Sequence, residues 1–409
     1  MTTITLSEFR HADTASKISK RNRIESIDLL RGIVMIIMAL DHVRDYFHYD
    51  AFLYSPTDLN KTDVFLFFTR FITHYCAPVF VFLAGISAHM YGSKRTRRKL
   101  SFYLLKRGLW LVFAELFIIT LGWTFNPSYP VFHLQVIWVI GISMIILSAI
   151  IYMKSLYILV AAVLLIAAHN LLDNVHVPGN GIATFLWSFL HEPADFVAGR
   201  FHIFVRYPVL PWIGIMALGY YFGRLYHPEY DAVKRKKILL NSGVGAIAIF
   251  VILRSFNFYG DAAQWSIQKN TVFSILSFFN VTKYPPSFLY ALITLGPAMI
   301  FLSLAEKPLN TVTEKVAVFG RVPFFYYVIH LYLIHLFAII GTIISGYHWS
   351  AMILSDRVNR VAELKGSGFN LAIVYLVWIA IILLLYPCCK WFDRYKRNNQ
   401  STKSWLTYL

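Results

Sequence analysis

Apolar runs of about 20 residues recur between positions 29 and 388 of the chain, each long enough to cross the hydrocarbon core of a bilayer as a helix. A chain of that pattern must satisfy its backbone polar groups within its own elements, which leaves helices as the spanning structure. Ten segments stand out, at about 29–48, 64–91, 100–124, 131–152, 156–173, 207–224, 237–255, 284–304, 318–344 and 370–388. Only 14% of the residues are charged and the mean hydropathy is +0.57, whereas soluble domains are about one quarter charged. The expected fold is an all-α, polytopic membrane helix bundle of about 10 transmembrane helices.

Charge orients the bundle. A net charge of +17 would suggest nucleic acid in a soluble protein, but its distribution argues against that partner. With the N-terminus in the cytoplasm, 27 of the 38 Lys and Arg residues fall on the inner side, as the positive-inside rule requires. Both termini are therefore expected to be cytoplasmic, and the lipid bilayer is the first expected partner. Residues 1–28 are polar and carry no secretory signal. The expected organisation is a disordered cytoplasmic tail at 1–23, one transmembrane domain over 24–390 and a cytoplasmic tail at 391–409, disordered from 396. Cys76, Cys388 and Cys389 have neither disulfide-framework nor metal-ligand spacing, and no metal site is expected. The long loops 49–63, 174–206, 256–283 and 345–369 all fall on the far side, where a substrate would be selected.

The first span is unusual. It carries Asp41, His42, Arg44, Asp45 and His48, and ionisable groups at membrane depth mark function or partnered structure. At 100° per residue, Asp41, Asp45 and His48 fall within about 60° of one another, flanked by Arg44 and His42. An Asp beside a His can hold the imidazole's tautomer and leave its other nitrogen as a base. Arg31 lies 11 residues before His42, about 16 Å along the helix and within about 20° of its face. That alignment suits a long ligand with an anionic head inside and a reactive end deeper in. The bland alternative is an ion-pair network, Asp41–Arg44 and Asp45–His48, that only fixes packing.

Two further stretches carry polar groups. Arg70 and His74 are i,i+4 neighbours before Pro78, whose ring bends a helix and frees a carbonyl; a structural kink is the alternative. Phe319-Gly320-Arg321 leads through Tyr326 and Tyr327 to His330 and His335, again with a cation at the inner mouth, though aromatic stripes are commonly packing. Glu115 is a lone mid-span carboxylate, and Arg107 precedes it at the inner boundary. The Lys94–Lys99 run reads as a topology-setting loop. His191-Glu192-Pro193-Ala194-Asp195 lacks the second histidine of a zinc helix, and Gly243-x-Gly245 reads as close helix packing.

Several motifs together resemble a known family. Ile27-Asp28-Leu29-Leu30-Arg31-Gly32 is followed by Met38-Ala39-Leu40-Asp41-His42, then by Ile72 to Gly85, Leu210-Pro211-Trp212-Ile213-Gly214 with Gly219, Lys283-Tyr284-Pro285-Pro286-Ser287, and Gly320-Arg321 to His330. In that order they resemble the transmembrane acyltransferase superfamily, and within it the heparan-α-glucosaminide N-acetyltransferase-like branch with its bacterial members, over roughly residues 24–345. The resemblance implies a membrane transferase, in a bacterial inner membrane, that takes an acetyl or other acyl group from cytoplasmic acyl-CoA (acetyl-CoA as donor) to a sugar or glycan acceptor outside. It places His42 where the animal enzyme has an Asn at the reaction centre. The family's catalytic histidine lies further on, and His48 is the nearest match although its spacing is shorter.

The expected roles follow. Asp41, His42, Asp45, His48 and His74 are the catalytic candidates. Arg31, Arg107 and Arg321 would bind the donor's phosphates, and Arg44, Arg70 and His330 the acceptor. His74 or Arg70 would stabilise the thioester oxyanion. Direct transfer and an acyl-histidine intermediate both stay open, as does a homodimer. The competing readings are a polyprenyl-phosphate-dependent glycosyltransferase using Asp50, Asp58 or Asp63, and a proton-coupled transporter, against which the lack of an internal repeat counts.

Overall fold

The computed structural model describes residues 24–399 and 402–407, and helices dominate it. The tail expected at 1–23 lies outside the described residues. In chain order the helices are α1 (Glu25–Phe47), α2 (Val64–Thr73), α3 (Cys76–Gly92), α4 (Arg97–Ala114), α5 (Thr120–Thr124), α6 (Val136–Ile150), α7 (Ser155–Ala167), α8 (Ile182–Leu190), α9 (Val209–Phe222), α10 (Ala232–Phe256), α11 (Thr271–Phe279), α12 (Phe288–Leu304), α13 (Thr311–Arg321), α14 (Pro323–Ile344) and α15 (Leu371–Asn399). A π-helical turn, Glu115–Ile119, joins α4 to α5. Among the described residues, four helical stretches are long and apolar enough to cross a membrane: Val64–Gly92, Ala232–Phe256, Pro323–Ile344 and Leu371–Asn399.

Prolines explain two departures from the expected spans. The segment at 64–91 divides at His74–Tyr75 because the Pro78 ring would clash with the carbonyl four residues earlier. That freed His74 carbonyl accepts a hydrogen bond from the Tyr290 hydroxyl at 2.7 Å. The segment at 318–344 divides at Val322, the residue before Pro323. The C-terminal boundary also moves. Residues 391–399 continue α15 and are not a separate tail, and the buried Asp393 anchors them to Arg321 at 3.3 Å.

The fold is mostly helical, as expected, with one small addition. Three short strands, β1 (Val131–Leu134), β2 (Ala194–Ala198) and β3 (Phe201–Val205), form a small sheet in the order β1-β3-β2. β3 pairs parallel with β1, opposite Val131 at His202, and antiparallel with β2, opposite Ala194 at Val205. Each strand is rich in β-branched and aromatic residues, which favour a pleated surface. The segment expected to span at 131–152 therefore begins as a strand and becomes α6 only at Val136.

α1 is the central element, packed against α2, α3, α13, α14 and α15. Its crossing with α13 is exceptionally close. A Cβ on Gly32 would sit 2.1 Å from the Val316 carbonyl oxygen, and one on Gly320 would sit 1.9 Å from the Asp28 carbonyl oxygen. Only glycine admits that approach. The crossing sets Arg31 and Arg321, the neighbours of those two glycines, at the same end of the bundle. Close packing holds as expected at Gly243, where a Cβ would meet the Gly296 carbonyl oxygen at 2.6 Å, but Gly245 faces open space.

Candidate functional site

Two cavities lie toward opposite ends of α1. The first, of about 370 Å³, is lined by Arg31 and Met35 from the N-terminal half of α1, with Ser87, Arg107, Arg321 and Arg397. The second, of about 530 Å³, is lined by Asp41, His42, Arg44 and Asp45 from its C-terminal half. Phe80, Val136 and Tyr327 line both cavities. These three side chains lie where the two cavities meet, and are called the partition.

The first cavity gathers all three arginines expected to bind the donor. Arg31 donates to Ser87 Oγ at 2.9 Å and to the Gly320 carbonyl at 3.1 Å, and pairs with Asp28 at 3.4 Å. Arg321 pairs with Glu314 at 2.6 Å and with Asp393. Because α15 extends past its expected end, Lys396 and Arg397 join the rim. Sequence reasoning left these two out by treating them as tail.

His42 sits at the floor of the second cavity. Its Nδ1 lies 2.8 Å from Nε2 of His330, whose own Nδ1 lies 2.9 Å from the Tyr326 carbonyl. A carbonyl only accepts, so His330 Nδ1 carries a hydrogen; in the neutral pair His330 Nε2 then accepts from His42 Nδ1–H. The assignment leaves His42 Nε2 with a lone pair, and that nitrogen has no hydrogen-bond partner among the described residues. The ring is held by Trp123, edge-on at 4.9 Å between centroids, and by the stacked His330. Thus His330, expected to meet the acceptor, is fully buried, backs His42 and lines neither cavity.

Asp41 does not hold His42. Its carboxylate is taken by Arg70 at 2.6 Å, Arg44 at 2.8 Å and the Thr73 hydroxyl at 3.0 Å. The ion-pair alternative therefore describes Asp41 and Arg44, while Asp45 pairs with Arg44 at 2.5 Å and not with His48. α1 ends at Phe47, so His48 leaves the helical face that the 100° spacing assumed. It accepts from the Asp50 amide at 3.3 Å, stacks on Tyr49 and bridges to Phe369. His48 lines neither cavity, and neither does His74, whose ring packs edge-on against Tyr290. Both expected catalytic placements are corrected: the helix end turns one histidine away and the Pro78 break turns the other. Arg70 and Arg44 do line the second cavity.

Other candidates are structural. Glu115 accepts from the Trp138 amide at 2.9 Å near the start of α6, a favourable place for a carboxylate. His335 places its two nitrogens 2.9 Å from the Gly122 carbonyl and 2.8 Å from that of Met352, tying α14 to the segments around it. Asp63 caps α2, Asp58 closes a turn through the Asn60 amide, and Asp50 accepts from the Tyr54 hydroxyl. None of these three carboxylates lines a cavity.

Four cavity groups escaped the sequence reading as site residues: Lys283, Arg206, Arg357 and His133. Arg206 and Arg357 converge on Asp195 at 2.8 and 2.7 Å, joined by Arg360 at 2.7 Å. The small sheet builds this cluster, supplying His133 from β1, Asp195 from β2 and Arg206 just past β3. Burial, with the Arg357 and Arg206 guanidiniums nearby, pushes the His133 imidazole down to about 3. Burial and Arg206 likewise push Arg357 down to about 10. Where the cavities meet, the Tyr327 hydroxyl and the Trp123 indole N–H are buried and face each other. Neither residue stood apart from other aromatic packing positions in the sequence.

Residues 23–260 match the family model described as the catalytic domain of heparan-alpha-glucosaminide N-acetyltransferase. The match includes Arg31, His42, Arg70 and Arg107, while Lys283, Arg321, Tyr327 and His330 lie beyond it. No curated protein matches the chain.

Proposed function

The chain belongs to the heparan-alpha-glucosaminide N-acetyltransferase catalytic family, and on that premise we propose that it transfers an acetyl or other acyl group from cytoplasmic acyl-CoA to a sugar or glycan outside the membrane. Family membership carries the coarse statement, an acetyltransferase-like membrane protein. The observation that carries the finer reading is the pair of cavities met by one partition, with His42 beside it.

Acyl-CoA enters the first cavity in this reading. Its phosphates lie against Arg31, Arg107 and Arg321, with Lys396 and Arg397 at the rim, the cations that phosphate recognition calls for. The thioester reaches the Phe80–Val136–Tyr327 partition. The acceptor enters the second cavity and presents a hydroxyl or amine to His42.

His42 Nε2 takes the proton as the acceptor's oxygen or nitrogen attacks the thioester carbon. Collapse of the tetrahedral adduct breaks the C–S bond, and the imidazolium returns its proton to the departing thiolate. The Nδ1–H···His330 bond holds the tautomer and disperses the transient charge. Tyr327 O–H, with Trp123 N–H beside it, lines the cavities and is better placed than His74, which lines neither, to stabilise the oxyanion. The glycosyltransferase reading loses its carboxylate, since Asp50, Asp58 and Asp63 are engaged in caps and turns.

The test is transfer across a sealed bilayer. Vesicles holding the protein and radiolabelled acetyl-CoA inside should label a sugar acceptor supplied only outside. Release of free acetate with no labelled sugar, or uptake of unmodified sugar, would replace this reading with hydrolysis or transport.

A further inference from the structure

The second cavity has more positive charge than its own carboxylates can answer. Arg44, Arg70, Arg206, Lys283 and Arg357 line it, against Asp41 and Asp45. Asp41 and Asp45 are committed to Arg70 and Arg44. At the other side of the cavity, Asp195 alone serves Arg206, Arg357 and Arg360. The Nε atoms of Arg206 and Arg357 are buried with no partner.

Lys283 is the sharpest case. It is 9% exposed and lines the cavity; its ammonium makes neither a close ion pair nor a hydrogen bond among the described residues, rests over the Tyr284 ring at 5.3 Å and feels Asp41 only at longer range. A nearly buried, unpaired ammonium is costly. It is tolerated where a bound anion completes it. Tyr284, which follows Lys283, packs its ring 5.4 Å from that of Tyr207, which follows Arg206, so the two stretches that carry these cations meet at the cavity wall.

We propose that this side of the second cavity is an oxyanion-binding subsite, in which Lys283, Arg206 and Arg357 hold a phosphate or carboxylate carried by the acceptor sugar. The proposal rests on the acyltransferase reading for the word acceptor, and on the cation cluster alone for the anion. Seating the anion here fixes the far end of the acceptor while its nucleophilic group meets His42. A neutral sugar would leave Lys283 unanswered, so charge becomes a filter on what is acylated.

Binding measured without acyl-CoA separates this inference from the transfer reaction. The purified full-length protein in nanodiscs is titrated with glucosamine 6-phosphate, glucuronic acid, N-acetylglucosamine and inorganic phosphate. At least one charged sugar should bind about tenfold or more tightly than the neutral one, more weakly as salt rises, and the better of the two identifies the anion. Lys283→Gln should shrink that ratio toward one, and Arg357→Gln, tested in parallel in case the first variant folds poorly, should do the same. Equal binding of charged and neutral sugars, or an unchanged ratio in two folded variants, overturns the proposal. Inorganic phosphate binding as well as the sugar phosphate would overturn the assignment to the acceptor. Failure of these titrations alongside successful vesicle transfer would remove the subsite and leave the enzyme reading intact.

Discussion

His42 Nδ1 meets His330 Nε2 at 2.8 Å across 288 positions of sequence, and His330 in turn donates to the Tyr326 carbonyl. In the proposed reaction the relation is that of a base and its orienting group, with a second imidazole where a carboxylate is more familiar. His42→Ala should lower kcat by about 10²–10⁴ while the protein still folds. His330→Phe should lose about 10² in kcat with little change in donor KM, because the proton acceptor survives and only its orientation is lost. Full activity in His42→Ala would remove this residue from the mechanism.

Tyr327 tests the partition. Tyr327→Phe keeps the ring that lies between the cavities and removes only its hydroxyl. Transfer should slow by about 10²-fold, the effect of deleting an oxyanion donor, with binding of both substrates near normal. A change confined to KM would assign the hydroxyl to substrate binding.

Arg31 and Arg321 share one cavity, so Arg31→Ala and Arg321→Ala should each raise the KM for acyl-CoA more than that for the acceptor. Steady-state kinetics with each substrate varied in turn makes the comparison. The opposite pattern would reverse the assignment of the two cavities.

Asp41 is expected to act through stability. Asp41→Asn strips the countercharge from Arg70 and Arg44 together, and breaking a buried pair from one side costs about 3–5 kcal/mol. Thermal unfolding in detergent should therefore fall markedly. A variant with native stability and no transfer would restore the catalytic role that the sequence suggested.

His133 supplies a pH dependence. Its folded-state value of about 3 lies below the usual 6.5, so the unfolded chain binds its proton first as pH falls. The neutral imidazole stabilises the fold above about pH 6.5, and that contribution drains away between there and about pH 3. His133→Gln should flatten the fall of the unfolding midpoint in that window. An identical pH profile in the variant would assign the acid sensitivity to other groups.

The cavity of Arg31 and Arg321 was legible in the sequence. Arg31-Gly32 and Gly320-Arg321 pair a helix-contact glycine with a cation, and the Gly32–Gly320 crossing brings those cations to one end. The apolar runs likewise marked where helices form, and the prolines at 78 and 323 mark where two of them break. The cavity of His42 was far less legible, because its geometry comes from contacts between distant segments. Nothing local at His330 announces His42 as its partner, and helical spacing carried His48 onto a face that α1 never reaches. Lys283 lay in a motif valued only for its resemblance, and β1, β2 and β3 assemble Arg206 with Asp195 from loops and from a presumed span. Asp41 showed the general ambiguity of a charge in a membrane helix: its type suggested chemistry, while its neighbours made it a clasp.

The partition made by Phe80, Val136 and Tyr327 carries a physiological consequence. A route open from end to end would let protons and ions drain across the membrane and dissipate the gradient on which a cell depends. In the proposed reaction only a thioester's reactive tip would have to meet these three side chains, so a two-carbon unit would change sides while the barrier to leakage stays intact. Longer acyl chains would have to wedge that barrier apart, so the need to remain ion-tight is itself a limit on what the protein can deliver.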